Sequence, residues 1–118
     1  MTATVRQPTD LPPGVRTLSI GHGRDPAARL AAAAFADTFQ RAGGEVLAVV
    51  DWPERAASWL KAARRLAAGA PDAWLVVPPA PGWARVRERL RDTAGWDPAR
   101  TYVLLTAEGA DGGDHLGG

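Results

Sequence analysis

"VRTLSIGHGRDPAARLAAAAFADTFQRAGGEVLAVVDWP", residues 15–53, holds two short apolar runs separated by a punctuated alanine-rich stretch. The runs "VRTLSI" (15–20) and "EVLAVV" (45–50) are too short for helices and rich in β-branched and other apolar residues, the composition of strands buried on both faces of a parallel sheet. Between them Asp25 is placed to cap a helix, Pro26 suits its first turn, and Gly43-Gly44 ends it. The reading is therefore strand, helix, strand. Leu30, Phe35, Thr38, Phe39 and Ala42 are the expected inward residues of this first helix, residues 26–42.

The same alternation continues. A second helix is expected over 54–68, with Ala56, Trp59, Leu60, Ala63 and Ala67 inward and Arg55, Ser58, Lys61 and Arg65 outward. Gly69 and Pro71 stop it before a third strand, "AWLVVP" (73–78). A third helix over about 82–94 turns Trp83, Val86, Leu90 and Ala94 inward, and "TYVLLT" (101–106) is the fourth strand. Strands alternating with helices imply a parallel sheet with helices on both faces. The expected fold is α/β: a three-layer, flavodoxin-like unit whose four parallel strands run in the order 2-1-3-4.

The rest of the chain frames one domain over 15–107. Residues 1–14 carry Pro8, Pro12, Pro13 and Gly14 without an apolar period and read as an irregular lead-in. Residues 108–118, "EGADGGDHLGG", read as a flexible tail. At 118 residues one core is expected rather than two.

Composition narrows the chemistry. With 46% apolar and 23% charged residues the chain matches a folded globular protein better than a disordered one. The formal charge is only +1, and the arginines of 85, 87, 89 and 91 fan around a helix instead of forming a stripe, so no nucleic-acid partner is read from them. Without cysteine there is no disulfide, thiolate nucleophile or Cys-ligated metal. The N-terminus has no apolar signal core and no stretch is long enough for a membrane span, so a cytoplasmic location without membrane contact is the expectation. No cofactor is expected: the third glycine of GxGxxG is replaced by Pro26, and there is no GxSxG elbow.

In an open parallel sheet, ligands gather at the carboxyl ends of the strands where the winding direction reverses. That edge collects Gly21, His22, Gly23 and Arg24 after the first strand, Asp51 and Trp52 after the second, and Pro79, Gly82 and Trp83 after the third. The two early glycines permit close approach of a ligand, and the helix N-terminus with Arg24 favours an anion. Asp51 can accept hydrogen bonds from hydroxyl or ammonium groups, and Trp52 offers a stacking surface. Equally, the glycines can serve the turn, Asp25 the cap, Pro53 a helix start, and Trp83 the core. His22 and His115 are the only histidines, too few for a histidine-rich metal site within one chain.

Two family resemblances follow from these residues. "AAAFADTFQRAGGEVLAVVDWP", "LAAGAPDAWLVVPP" and "AGWDPARTYV" resemble, in order and spacing, one lobe of the type I periplasmic ligand-binding proteins, the leucine-binding-like group. That resemblance implies a noncatalytic domain that binds or senses an amino acid or organic acid, completed by self-association or by a partner protein. "GHGRDPAA" (21–28) resembles the "GHGSRDPAA" stretch of the small sirohydrochlorin and cobalt chelatases. This second resemblance implies metal insertion into a tetrapyrrole, with His22 as the metal-contacting, proton-accepting residue. A third reading rests on composition: five tryptophans and many arginines suit a structural subunit whose aromatic and guanidinium groups form an interface.

Overall fold

The computed structural model describes residues 3–53, 55, 56 and 58–105. Its elements are β1 (Ala3–Val5), β2 (Thr17–Gly23), α1 (Pro26–Arg41), β3 (Glu45–Trp52), α2 (Leu60–Ala67), β4 (Ala73–Val77), α3 (Trp83–Arg91) and β5 (Thr101–Leu104). All strand pairs are parallel, in the order β1-β5-β4-β2-β3. The four expected strands keep the order expected for them, and β1 adds a fifth at the edge beyond β5.

That added strand corrects the reading of residues 1–14 as irregular. Val5 is buried, and its carbonyl accepts a 2.7 Å hydrogen bond from the Leu105 amide. A short turn of Pro8–Asp10 follows, in which the Asp10 carboxylate accepts from the amides of Arg6 and Gln7. Three residues carry too little periodicity to announce a strand; the open edge of β5 makes it one. The expected tail, 108–118, lies outside the described residues.

Alternation along the strands divides the core in two. Leu18, Ile20, Leu75 and Leu104 pack on one face of the sheet beneath Ala28, Ala32, Phe35 and Phe39 of α1. Val50, Trp52 and Trp74 pack on the other face against Ala63 and Leu66 of α2 and Val86 and Leu90 of α3. The 28, 32, 35, 39 spacing is one helical stripe. It leaves Leu30, expected inward, 72% exposed and Thr38 exposed, because both lie off that stripe, while Ala42 is exposed as the C-cap just beyond the end of α1. Ala94, expected inward, lies beyond the end of α3 and is exposed.

Two further expectations change for positional reasons. The composition of β3 suits a strand buried on both faces, yet it sits at the sheet edge, and Val49 is 43% exposed. Its pairing with β2 jumps between Leu18–Val46 and Ser19–Ala48, leaving Leu47 as an extra residue in a bulge. The helix α2 begins at Leu60 rather than residue 54, so Pro53 is not in its first turn and Ala56 is outside it. The Ser58 hydroxyl accepts from the Leu60 amide at 3.3 Å there.

Polar side chains set the registers. The Asp72 carboxylate accepts from the amides of Arg16 (2.8 Å) and Thr17 (3.1 Å), tying the entry of β4 to that of β2. The Trp74 indole donates to the carbonyl of Leu66 at 2.8 Å, anchoring the last turn of α2 to the sheet.

Candidate functional site

The carboxyl ends of β2, β3 and β4 meet as the topology requires. His22 lies beside Asp51 in the β2–β3 register and beside Val77 in the β2–β4 register. Asp25 caps α1 by accepting from the amides of Ala27 (3.0 Å) and Ala28 (3.2 Å). Its carboxylate therefore occupies amides that an anion would otherwise use.

The glycines of this edge serve packing. A Cβ on Gly21 would come 2.7 Å from the Trp52 ring, so the missing side chain is the seat of that indole. At Gly23 a Cβ would lie 3.2 Å from the Pro79 carbonyl oxygen and 3.3 Å from Pro81. The β4–α3 loop thus presses against the end of β2 and fills the crevice at which the winding reverses. Gly82 adopts a positive φ of 95° at the start of α3, where a Cβ would also meet the Trp59 ring at 2.9 Å.

Trp52, expected as a stacking surface, is 1% exposed. Its indole donates to the Pro81 carbonyl at 2.9 Å and stacks on Trp83, with ring centroids 6.1 Å apart. The pair fastens β3 to the α3 start and forms the back wall of the edge. His22 is buried on the α1 side of the sheet, and its Nδ1 meets the Gly23 carbonyl. A carbonyl only accepts, so Nδ1 is the donor in this contact. Among the described residues no group of three or more His, Asp or Glu side chains is placed to hold a metal.

The open cleft lies to one side of the reversal, at the end of β3. About 180 Å³ in volume, it is lined by Arg24, Asp51, Trp52, Trp59, Lys61 and Arg65, among others. Asp51 is approached by Arg24 at 3.4 Å and, more loosely, by Arg29 at 4.0 Å. Neither Lys61 nor Arg65 has an acidic partner among the described residues, and the described lining carries Arg24, Lys61 and Arg65 against Asp51 alone. Of the expected site residues, the structure brings Arg24, Asp51 and Trp52 into this cleft. It leaves His22 beneath α1, and it places Trp83 behind Trp52.

Sequence reasoning missed Trp59, Lys61 and Arg65 as cleft residues. A helix drawn from residue 54 puts Lys61 and Arg65 on its solvent stripe. With the true start at Leu60, the first turn of α2 opens onto the end of β3. The cluster of three cations within five residues, Lys61, Arg64 and Arg65, was the available signal.

No protein-family model matches the chain, and no curated protein matches its sequence. Similar solved structures do exist. One is a branched-chain amino acid ABC transporter periplasmic ligand-binding protein from Burkholderia xenovorans LB400, with a TM-score of 0.63 and 12% identity over 78% of this chain. Another is a solute-binding protein of an ABC transporter from Rhodopseudomonas palustris BisB5 in complex with 3,4-dihydroxybenzoic acid, with a TM-score of 0.55 and 22% identity over 76% of this chain. The chain spans about a quarter of the length of each, 25% and 24%. Among the described residues no helix is long and apolar enough to cross a membrane. The fold of this chain, a parallel sheet flanked by helices, is thus similar to that of one part of these periplasmic ligand-binding and solute-binding proteins.

Proposed function

We propose that this chain is a noncatalytic ligand-binding or regulatory lobe that takes a small carboxylate, an amino acid or organic acid, in the cleft at the end of β3. The observation that carries this reading is the charge arrangement there: Lys61 and Arg65 without acidic partners among the described residues, beside an Asp51 held by Arg24. Guanidinium and ammonium groups bind a carboxylate through charge-assisted hydrogen bonds, and Asp51 can accept from an ammonium or hydroxyl group on the same ligand. The similar solved proteins, named for branched-chain amino acid transport and bound to a dihydroxybenzoic acid, support the same ligand class.

The lobe works with a second body. A cleft of about 180 Å³ is smaller than the ~300–1,000 Å³ typical of ligand pockets, so one lobe supplies part of a site. A second copy or a partner protein closing over the β3–α2 edge would complete it.

The test is a thermal-shift and calorimetric screen of amino acids and organic acids, with sedimentation measured in parallel. A ligand that binds only the folded state raises Tm by an amount that grows with the logarithm of its concentration above Kd. The expected hit carries a carboxylate, loses affinity in the Lys61→Ala/Arg65→Ala double variant, and increases self-association or partner capture. A hit unaffected by that double variant, or no hit across the panel, overturns the reading.

A further inference from the structure

A second cleft, of about 500 Å³, runs along the outer flank of α3 toward the turn before β5, and it shares no lining residue with the cleft at the end of β3. Its walls include Trp83, Arg87, Arg91, Trp96 and Thr101. Trp83, Arg87 and Arg91 succeed one another at four-residue intervals and so form one ridge of the helix. Trp96 faces that ridge from the loop after the helix.

Both indoles are half-buried and held from behind. Trp83 is stacked on the fully buried Trp52, and the Trp96 N–H donates to the Thr101 hydroxyl at 3.0 Å. Thr101 is itself 4% exposed, and its hydroxyl donates to the Asp97 carbonyl at 3.2 Å. The rings therefore reach the cleft already ordered, and little side-chain entropy remains to be lost when a flat ligand meets them.

The charge of the cleft has one sign. Arg87 and Arg91 are exposed, and among the described residues no acidic side chain lines the cleft and neither arginine has an ion-pair partner. Guanidinium groups pair with carboxylates in a planar, two-point geometry, and a ring face packs on an indole. We propose that this cleft is a binding site for a small planar aromatic carboxylate, its ring against Trp83 and Trp96 and its carboxylate on Arg87 and Arg91. A volume of 500 Å³ falls within the ~300–1,000 Å³ range of small-molecule pockets.

The test uses the whole chain and three probes, benzoate, benzamide and cyclohexanecarboxylate, followed by NMR of the indole N–H signals, assigned with Trp83→Phe and Trp96→Phe. Benzoate is expected to shift the Trp83 and Trp96 signals, with the uncharged and the non-planar probes each about tenfold weaker, as loss of a charge-assisted contact or of ring stacking implies. Because both arginines are exposed, Arg87→Ala/Arg91→Ala is expected to keep the wild-type Tm while weakening benzoate about tenfold. The Lys61→Ala/Arg65→Ala variant is expected to leave benzoate binding here unchanged, which separates this site from the one at the end of β3. Equal binding of benzoate and benzamide, silence of both indole signals, or loss of the response in Lys61→Ala/Arg65→Ala instead of Arg87→Ala/Arg91→Ala overturns the proposal.

Discussion

The indole of Trp52 occupies the space that a side chain at Gly21 would fill, with a Cβ there falling 2.7 Å from Cζ3 and 2.8 Å from Cη2 of the ring. Trp52 is 1% exposed and stacked on Trp83, so any retreat of its ring would break that packing. Gly21→Ala is expected to destabilise the fold by ~1–3 kcal/mol through overpacking. Urea unfolding monitored by tryptophan fluorescence measures it, and an unchanged midpoint would show that Trp52 can move.

The inward stripe of α1 can be tested by contrast. Phe35→Ala is expected to cost ~3–5 kcal/mol, the usual range for emptying a buried aromatic site, because Phe35 is 4% exposed. Leu30→Ser, at a position 72% exposed, is expected to change stability by no more than ~0.5 kcal/mol. Comparable losses in the two variants, measured by chemical denaturation, would reverse the assignment of the helix face.

At the start of α1 the Asp25 carboxylate accepts from two amides, those of Ala27 and Ala28. Asp25→Ala removes that cap and is expected to cost ~1 kcal/mol. Asp25→Asn, which retains an accepting oxygen, is expected to recover most of the loss. Thermal unfolding of both variants beside the parent chain makes the comparison.

Acid should loosen the junction of β2 and β4. The Asp72 carboxyl is held below its ordinary value of 3.8, first by the hydrogen bond from the Arg16 amide and then by that from the Thr17 amide, with smaller help from the Thr17 hydroxyl and the Arg100 charge and against the opposing effect of burial. A depressed folded-state pKa means that the contribution is present above 3.8 and is lost as pH falls through the lower folded value. The stability advantage of the parent chain over Asp72→Asn is therefore expected to be constant near neutrality and to shrink below about pH 3.8. Urea midpoints collected from pH 6 to pH 2 read the difference, and a gap that persists at pH 2 would assign it to something other than ionisation.

Much of the architecture was legible in residues 15–53 because local rules agree there. A short apolar run, an aspartate cap with proline behind it, and a glycine pair after the helix all point to the same strand–helix–strand unit. Repetition of that unit twice more was enough for a parallel sheet and for the relative order of four strands. The expectation that Arg24, Asp51 and Trp52 share one edge followed from the topology alone.

What the amino-acid sequence determined by itself was therefore the alternation of elements, the caps and the sheet direction, because these depend on contacts within a few residues or on the handedness of crossovers. Only the tertiary structure decided that β1 would join the sheet, that β3 would be an edge, and that the glycines would seat Trp52 and the β4–α3 loop. It also decided that the open cleft would lie beside Lys61 and Arg65. Each of these depends on what lies across the sheet from a residue, and a side chain's neighbours across a sheet come from segments distant in the chain, so no local pattern records them.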